Sequence, residues 1–248
     1  MVELNPAPLL GRGALVTGAG RGIGRAIAQQ LAALGATVLC VSRTKSELDE
    51  VVRATNGRAV AFAVDISAQG AATAILDALL AYAPSLDILV NCAGVLTLGT
   101  MERMEPALLD RAFTINVRSP YVLTQTALPA LKLSRGQILF VNSSVLRATN
   151  TAGRGVHAAA QAALKAFADS LRDEVNEYGI RVLSIMPGRT ATPRVEQTSA
   201  VEGRPYRPEL LLQPKDVAEI ACNALLLPRT AETTDLFIRP MVKPNHDT

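Results

Sequence analysis

Gly13-Ala14-Leu15-Val16-Thr17-Gly18-Ala19-Gly20-Arg21-Gly22-Ile23-Gly24 decides the fold. Gly13–Thr17 reads as a short apolar strand, and a helical pattern opens at Gly22 and runs to Leu34. Between them Gly18 permits a sharp turn. Gly22 lets the backbone approach a pyrophosphate, and Gly24 lets the helix pack closely on the sheet. The helix start then offers amide donors and a partial positive charge to phosphate. A merely flexible turn would also be rich in glycine. The strand before it, the helix after it and its place at the first strand favour a dinucleotide site.

The rest of the chain repeats this alternation. Strands are expected over Thr37–Ser42, Ala59–Val64, Ile88–Asn91, Gln137–Asn142, Arg181–Met186 and Asp235–Arg239. Their continuous apolar character suits strands buried on both faces of a parallel sheet. Helices are expected over Lys45–Thr55, Ala68–Ala81, Pro106–Leu133, Val156–Tyr178 and Pro214–Leu227, and irregular chain over Val145–Gly155 and Gly188–Gln213. The expected fold class is α/β: a single Rossmann-type, doubly wound domain over residues 1–248. It has about seven mostly parallel strands and helices on both faces. The long irregular stretch, about 188–213, is the candidate substrate loop.

Composition narrows the function. Nearly half of the 248 residues are hydrophobic (49%), enough for a sizeable core, and the net charge of +3 comes from scattered basic residues. That pattern suits a solvated surface and no nucleic-acid partner. No apolar run approaches a membrane span, so no membrane partner is expected. Met1–Leu10 carries an acid and two prolines and does not read as a signal peptide. Cys40, Cys92 and Cys222 lie far apart without metal-ligand spacing. Cys40 and Cys92 sit in apolar strand-like runs and read as buried free thiols, which suits a reducing cytoplasm. No metal site is expected. The two histidines are His157 and His246, the latter expected to lie in a disordered C-terminus.

Thr17-Gly18-x-x-x-Gly22-x-Gly24 resembles the motif of the short-chain dehydrogenase/reductase family, and the resemblance extends over roughly residues 9–240. Asp65 and Ile66 match the segment that carries the family's adenine-contacting aspartate. Asn91-Cys92-Ala93-Gly94 is similar to its Asn-Asn-Ala-Gly motif, with Cys92 for the second asparagine. Asn116 resembles its active-site asparagine. Pro187-Gly188, with Thr190 and Thr192, resembles the segment that holds the nicotinamide carboxamide. Taken singly, Asp65 reads equally as a helix cap, Asn91 as a strand-end bridge and Asn116 as a helix-bending polar group. The resemblance implies cofactor contacts from Thr17, Gly18, Arg21, Gly22, Ile23, Gly24, Ser42, Arg43, Asp65, Ile66, Asn91, Ala93, Gly94, Gln161, Pro187, Gly188, Thr190 and Thr192. It also implies a homotetramer or homodimer formed through Pro106–Leu133 and Val156–Tyr178.

The end of the second strand bears on the choice of cofactor. A carboxylate there would hold ribose hydroxyls and repel a 2′-phosphate. Val41-Ser42-Arg43 has no acid, and Arg43 can pair with phosphate while Ser42 donates, with Arg21 as a possible helper. A solvated arginine is the plainer account of Arg43 alone. Together these features favour NADP(H) over NAD(H).

The family's catalytic serine precedes its tyrosine by thirteen residues, and a lysine follows four later. Counting from Ser144, those places hold His157 and Gln161. Ser143 is the alternative serine if the strand end is displaced by one residue. Residues i and i+4 share a helix face, so His157 and Gln161 point to one site. Lys165, a turn further on, reads as a surface residue. Free tyrosine titrates near 10 and needs a helping cation to act at neutral pH; histidine, near 6.5, does not. Losing the lysine removes its repulsion of a charged imidazole, and Gln161 can still hydrogen-bond a ribose. An imidazole reaches less far than a phenol, and misplacement by about 1 Å can cost ~100-fold in rate.

Three functions fit these residues. The leading one is an NADP(H)-dependent oxidoreductase on a small-molecule carbonyl or alcohol. In it Ser144 orients the oxygen, His157 moves the proton, Asn116 supports a water relay and Gln161 holds the ribose. The others are a catalytically decayed cofactor-binding subunit, and a non-redox enzyme with His157 as base. Arg189, Arg194, Arg204, Tyr206 and Arg207 in the substrate loop could hold an anionic substrate or simply be solvated.

Overall fold

Strand β1 (Gly13–Thr17) is buried along its whole length, as its apolar run requires. In the computed structural model, which describes residues 7–242, it pairs on one side with β2 (Thr37–Ser42) and on the other with β4 (Ile88–Asn91), both parallel. His246 and Met1–Pro6 lie outside the described residues. With β3 (Ala59–Ala63), β5 (Gln137–Val141), β6 (Arg181–Pro187) and β7 (Asp235–Ile238) these form one seven-stranded sheet in the order 3-2-1-4-5-6-7. Every pairing is parallel.

Side chains alternate across this sheet, so each strand feeds two cores. Ala14 and Val16 point into the core shared by α1 (Gly22–Ala33), α2 (Lys45–Arg53) and α8 (Pro214–Leu225). Leu15, with Leu89 and Phe140, points into the opposite core. That core is covered by α3 (Ala71–Leu80), α5 (Ser119–Ser134) and α6 (Gly155–Val175). The doubly wound Rossmann architecture follows from helices on both faces of one parallel sheet. Cys40 and Cys222 are free thiols deep in the first core.

Most expected elements form, with ends shifted by one to three residues. Two differ in kind. The expected helix over Pro106–Leu133 is interrupted: α4 (Pro106–Phe113) gives way to a π-helical turn over Thr114–Arg118 before α5 begins. Pro120 has no N–H to offer the carbonyl four residues back, at Asn116. Ser119 meanwhile bonds the Thr114 carbonyl with its own N–H and, at 2.8 Å, with its hydroxyl. The turn therefore widens. The expected irregular stretch over Gly188–Gln213 contains α7 (Pro193–Val201), with Thr192 as its N-cap accepting from Val195 N at 3.3 Å. In the second irregular stretch, Ser144–Arg147 forms a short 3-10 turn.

Candidate functional site

The chain leaves β1 in one direction and β4 in the other, so the loops at their C-terminal ends diverge and open a crevice. A cavity of about 350 Å³ lies there. Its wall includes the glycine turn, the ends of β2, β4, β5 and β6, the start of α6 and the start of α7.

The glycines leave this cleft open at specific atoms. Gly18 has φ +68°, and an added Cβ would lie 2.9 Å from the Ala93 backbone. A Cβ on Gly24 would collide with the Gly18 carbonyl oxygen, so helix α1 packs directly on the turn. Gly22 has φ +56° and faces Thr192, whose Cγ2 would be 3.1 Å from a Cβ. Arg21, Ile23, Ala93, Gly94, Pro187, Gly188, Thr190 and Thr192 all line the cavity. Thr17 and Asn91 do not. Thr17 is buried, and its Oγ1 accepts from Cys92 N at 3.0 Å and Ala93 N at 3.1 Å, stitching the β1 turn to the β4 turn. Asn91 Nδ2 donates to Thr124 Oγ1 at 3.2 Å. Both act on the cleft by positioning its walls.

Ser42 and Arg43 line one end of the cleft, as do Asp65 and Ile66. Asp65 Oδ1 accepts from Ser67 Oγ at 2.6 Å and Ser67 N at 2.9 Å, which lowers its carboxyl below the usual range. Among the lining residues the sequence does not single out is Glu47, on the first turn of α2. A Cβ on Gly20 would lie 2.8 Å from Glu47 Oε2 and 2.9 Å from Ser42 Oγ. The expectation of no carboxylate at the end of β2 holds for the strand itself. It fails for the pocket, because one turn of helix returns an acid to it.

At the other end stand His157, Gln161, Asn116, Asn142, Ser143 and Cys92. His157 and Gln161 lie one turn apart on α6. His157 Nδ1 and Gln161 Oε1 are both buried, and neither has a hydrogen-bond partner among the described residues. Burial, then the guanidinium groups of Arg194 and Arg154, push the His157 imidazole down to about 4. Cys92 is half-buried, and desolvation pushes its thiol up to about 12, with Arg194 pulling the other way. Asn116 sits in the π turn with both side-chain ends engaged: Oδ1 accepts from Val95 N at 2.7 Å and Nδ2 donates to Val95 O at 2.9 Å. Ser143 lines the cavity, while Ser144, half-buried at the head of the 3-10 turn, does not. Asn142, also missed in the sequence, holds α6 to the end of β5 through Nδ2 to the Gln161 carbonyl at 3.1 Å. A polar residue closing an apolar strand just before the serines was its only signal. Lys165 faces away from the cleft, paired with Asp169 and, at 3.2 Å, with Asp235.

The loop basic and aromatic residues separate sharply. Arg189 and Arg204 each approach Glu202 at 3.8 Å, and Arg154 pairs with the same carboxylate. None of these, nor Tyr206 or Arg207, lines the cavity. Arg194 does, and its Nη2 donates to the Gly94 carbonyl at 2.6 Å. Among the described residues, no cluster of His, Cys, Asp or Glu is placed to hold a metal, and no helix is long and apolar enough to cross a membrane.

This geometry has close counterparts. A family model described as short chain dehydrogenase matches residues 12–203. A short chain dehydrogenase of Pseudocercospora fijiensis is 35% identical over 186 residues, which cover 73% of this chain but only 60% of that protein. A metagenomic short-chain oxidoreductase, solved in complex with NADP, superposes with a TM-score of 0.81 at 28% identity, covering 95% of this chain and 100% of that one. A 3-ketoacyl-(acyl-carrier-protein) reductase from Brucella melitensis, complexed with NADH, gives 0.82 at 29% identity, covering 93% and 97%.

Proposed function

The chain belongs to the short-chain dehydrogenase family, and we propose that it is an NADP(H)-binding oxidoreductase acting on a carbonyl or alcohol through His157 in place of a lysine-assisted tyrosine. The observation that carries this reading is that His157 and Gln161, one turn apart on α6, line one cavity with the glycine turn, while His157 Nδ1 and Gln161 Oε1 lie buried without a partner among the described residues. Each such atom costs about 1–3 kcal/mol unless something satisfies it. A site that had merely decayed would be expected to bury apolar groups or pair these two.

The residues fit a dinucleotide. Side chains on Gly20 or Gly22 would run into the lining residues Ser42, Glu47 and Thr192, Gly18 and Gly24 let the turn and α1 pack closely, and the N-terminus of α1 faces the cleft. When bound, the nicotinamide supplies the hydride donor or acceptor. Gln161 lines the cavity one turn beyond His157, and its uncharged amide suits a ribose hydroxyl. Ser144, or its neighbour Ser143 on the cavity wall, orients the substrate oxygen. Asn116 braces the wall at Val95, so any water relay at this point uses its backbone carbonyl or its remaining amide hydrogen. His157, held neutral by burial and by Arg194 and Arg154, is in the form that can accept an alcohol proton. Arg43 and Ser42 support NADP(H), as does a relative solved with NADP. Glu47 and the relative solved with NADH weigh the other way.

The remaining expectations stand as proposals. The chain is one domain whose 188–213 segment selects the substrate, and it works in the cytoplasm. It assembles as a homotetramer or homodimer, for which exposed Leu108, Leu109 and Tyr121 on α4 and α5 provide apolar surface.

The test is a broad panel of carbonyls and alcohols with NADPH or NADP⁺, comparing wild type, His157→Ala and the double variant His157→Tyr/Gln161→Lys. Wild-type turnover that collapses in His157→Ala is expected. Turnover appearing only in the double variant would reject the histidine chemistry in favour of a decayed, cofactor-binding subunit.

A further inference from the structure

We propose that the substrate carries an anionic group, a carboxylate in the simplest case, and that Arg194 binds it. The proposal rests on the oxidoreductase reading above and narrows its substrate class. Arg194 lies in the first turn of α7, and its side chain crosses to the far wall of the cleft, where Nη2 meets the Gly94 carbonyl at 2.6 Å. That is one bond to a neutral acceptor. A guanidinium has five N–H donors in a fixed fork, so the charge and most of the fork remain available.

The surroundings leave this cation unopposed. The two acids that line the cavity, Glu47 and Asp65, sit at the end with Ser42 and Arg43. Of the charged side chains that line the cavity, Arg194 is the one whose charge bears on His157, and Arg21 is near enough to bear on Arg194 in turn. The other loop arginines that could have served are engaged: Arg154, Arg189 and Arg204 converge on Glu202, and Arg189 Nη2 also donates to Ser199 Oγ at 2.6 Å. The field of Arg194 reaches His157, where it helps keep the imidazole neutral. It reaches the Cys92 thiol as well. A planar cation held in a cavity wall, close to the proton acceptor and without a counter-ion, matches a carboxylate or phosphate through paired charge-assisted bonds. A neutral ketone would leave its charge to water and the Gly94 carbonyl alone. An anion could also come from the cofactor's pyrophosphate, since Arg21 lines the same cleft. The experiment separates the two sources.

The chain has two histidines, so the His157 imidazole resonance is assigned by comparison with His157→Gln. The full chain is titrated, with and without saturating NADP⁺, with acetate, butanoate, hexanoate and 4-oxopentanoate, and with neutral 2-pentanone. At least one carboxylate is expected to shift the resonance saturably, with 2-pentanone much weaker. Arg194→Gln should weaken that carboxylate roughly ten- to hundredfold, and Arg194→Lys, which keeps the charge and loses the fork, should weaken it less. NADP⁺ affinity, followed by calorimetry, should change less than about threefold in either variant. Equal response to ketone and carboxylate, no response to any carboxylate, or an unchanged Arg194→Gln would overturn the proposal. Loss of NADP⁺ affinity with the carboxylate response intact would also overturn it and assign the cation to the pyrophosphate. These titrations need no turnover, so failure of the oxidoreductase reading appears separately, in the substrate panel.

Discussion

Lowering the pH should destabilise the fold through His157 alone by a measurable amount. In the unfolded chain the imidazole titrates near 6.5. In the folded chain burial, Arg194 and Arg154 hold it near 4. Between these values the unfolded state carries a proton that the folded state refuses, so stability falls as pH falls. The contribution is intact above about pH 6.5 and gone by about pH 4. At about 1.36 kcal/mol per pH unit the interval caps the effect near ~3 kcal/mol, and partial exposure of the ring brings it to roughly 1–3 kcal/mol. Urea denaturation at pH 7.5 and 4.5, run on wild type and His157→Gln, isolates it, because every other titrating group is common to both. Wild type should lose about 1–3 kcal/mol more than the variant. Equal pH sensitivity, or a His157 imidazole titrating at 6.5 or above by NMR, would refute the view of a buried ring facing two cations.

Thr17→Val should cost about 1–3 kcal/mol in chemical denaturation, since it strands the Cys92 and Ala93 amides; Thr17→Ser should cost far less. Gly24→Ala should reduce dinucleotide affinity at least tenfold by calorimetry, because its Cβ meets the Gly18 backbone and no flexible side chain can yield. Glu47→Gln should shift the NADPH-to-NADH affinity ratio about fivefold toward NADPH, the scale of one exposed charge lost a few ångströms from a phosphate; a ratio unchanged or shifted toward NADH would remove Glu47 from the pocket's specificity.

The sheet was legible in the sequence because burial on both faces leaves one signature, as in Leu89-Val90 or Ile138-Leu139-Phe140. The glycine turn was legible for a related reason: each glycine answers a steric demand that no other residue meets. Elements whose identity depends on other parts of the chain were harder to read. The π turn at Thr114–Arg118 keeps an apolar helical pattern on either side, and its break comes from Pro120 and the Ser119 hydroxyl. Helix α7 is polar, with Ser199 its one buried residue, so no apolar stripe marks it. Thr192-Pro193, an N-cap followed by proline at the first helical position, was the available signal. Glu47 carries no signal at the strand end, because the helix that follows is what returns it to the pocket. His157 and Gln161 could be located by counting. That both would present a buried, unpartnered atom depends on the packing of α6 against β5.

The junction at Glu202 has a mechanical consequence. Its carboxylate gathers Arg154 from just before α6, Arg189 from just after β6 and Arg204 from just beyond α7. The segment that forms the roof of the cleft is thus pinned near both of its ends to one point, and that point also grips the root of the His157 helix. One carboxylate therefore ties the wall of the cleft to the helix bearing the imidazole, so loss of Glu202 would free three arginines from two sides of the site at once.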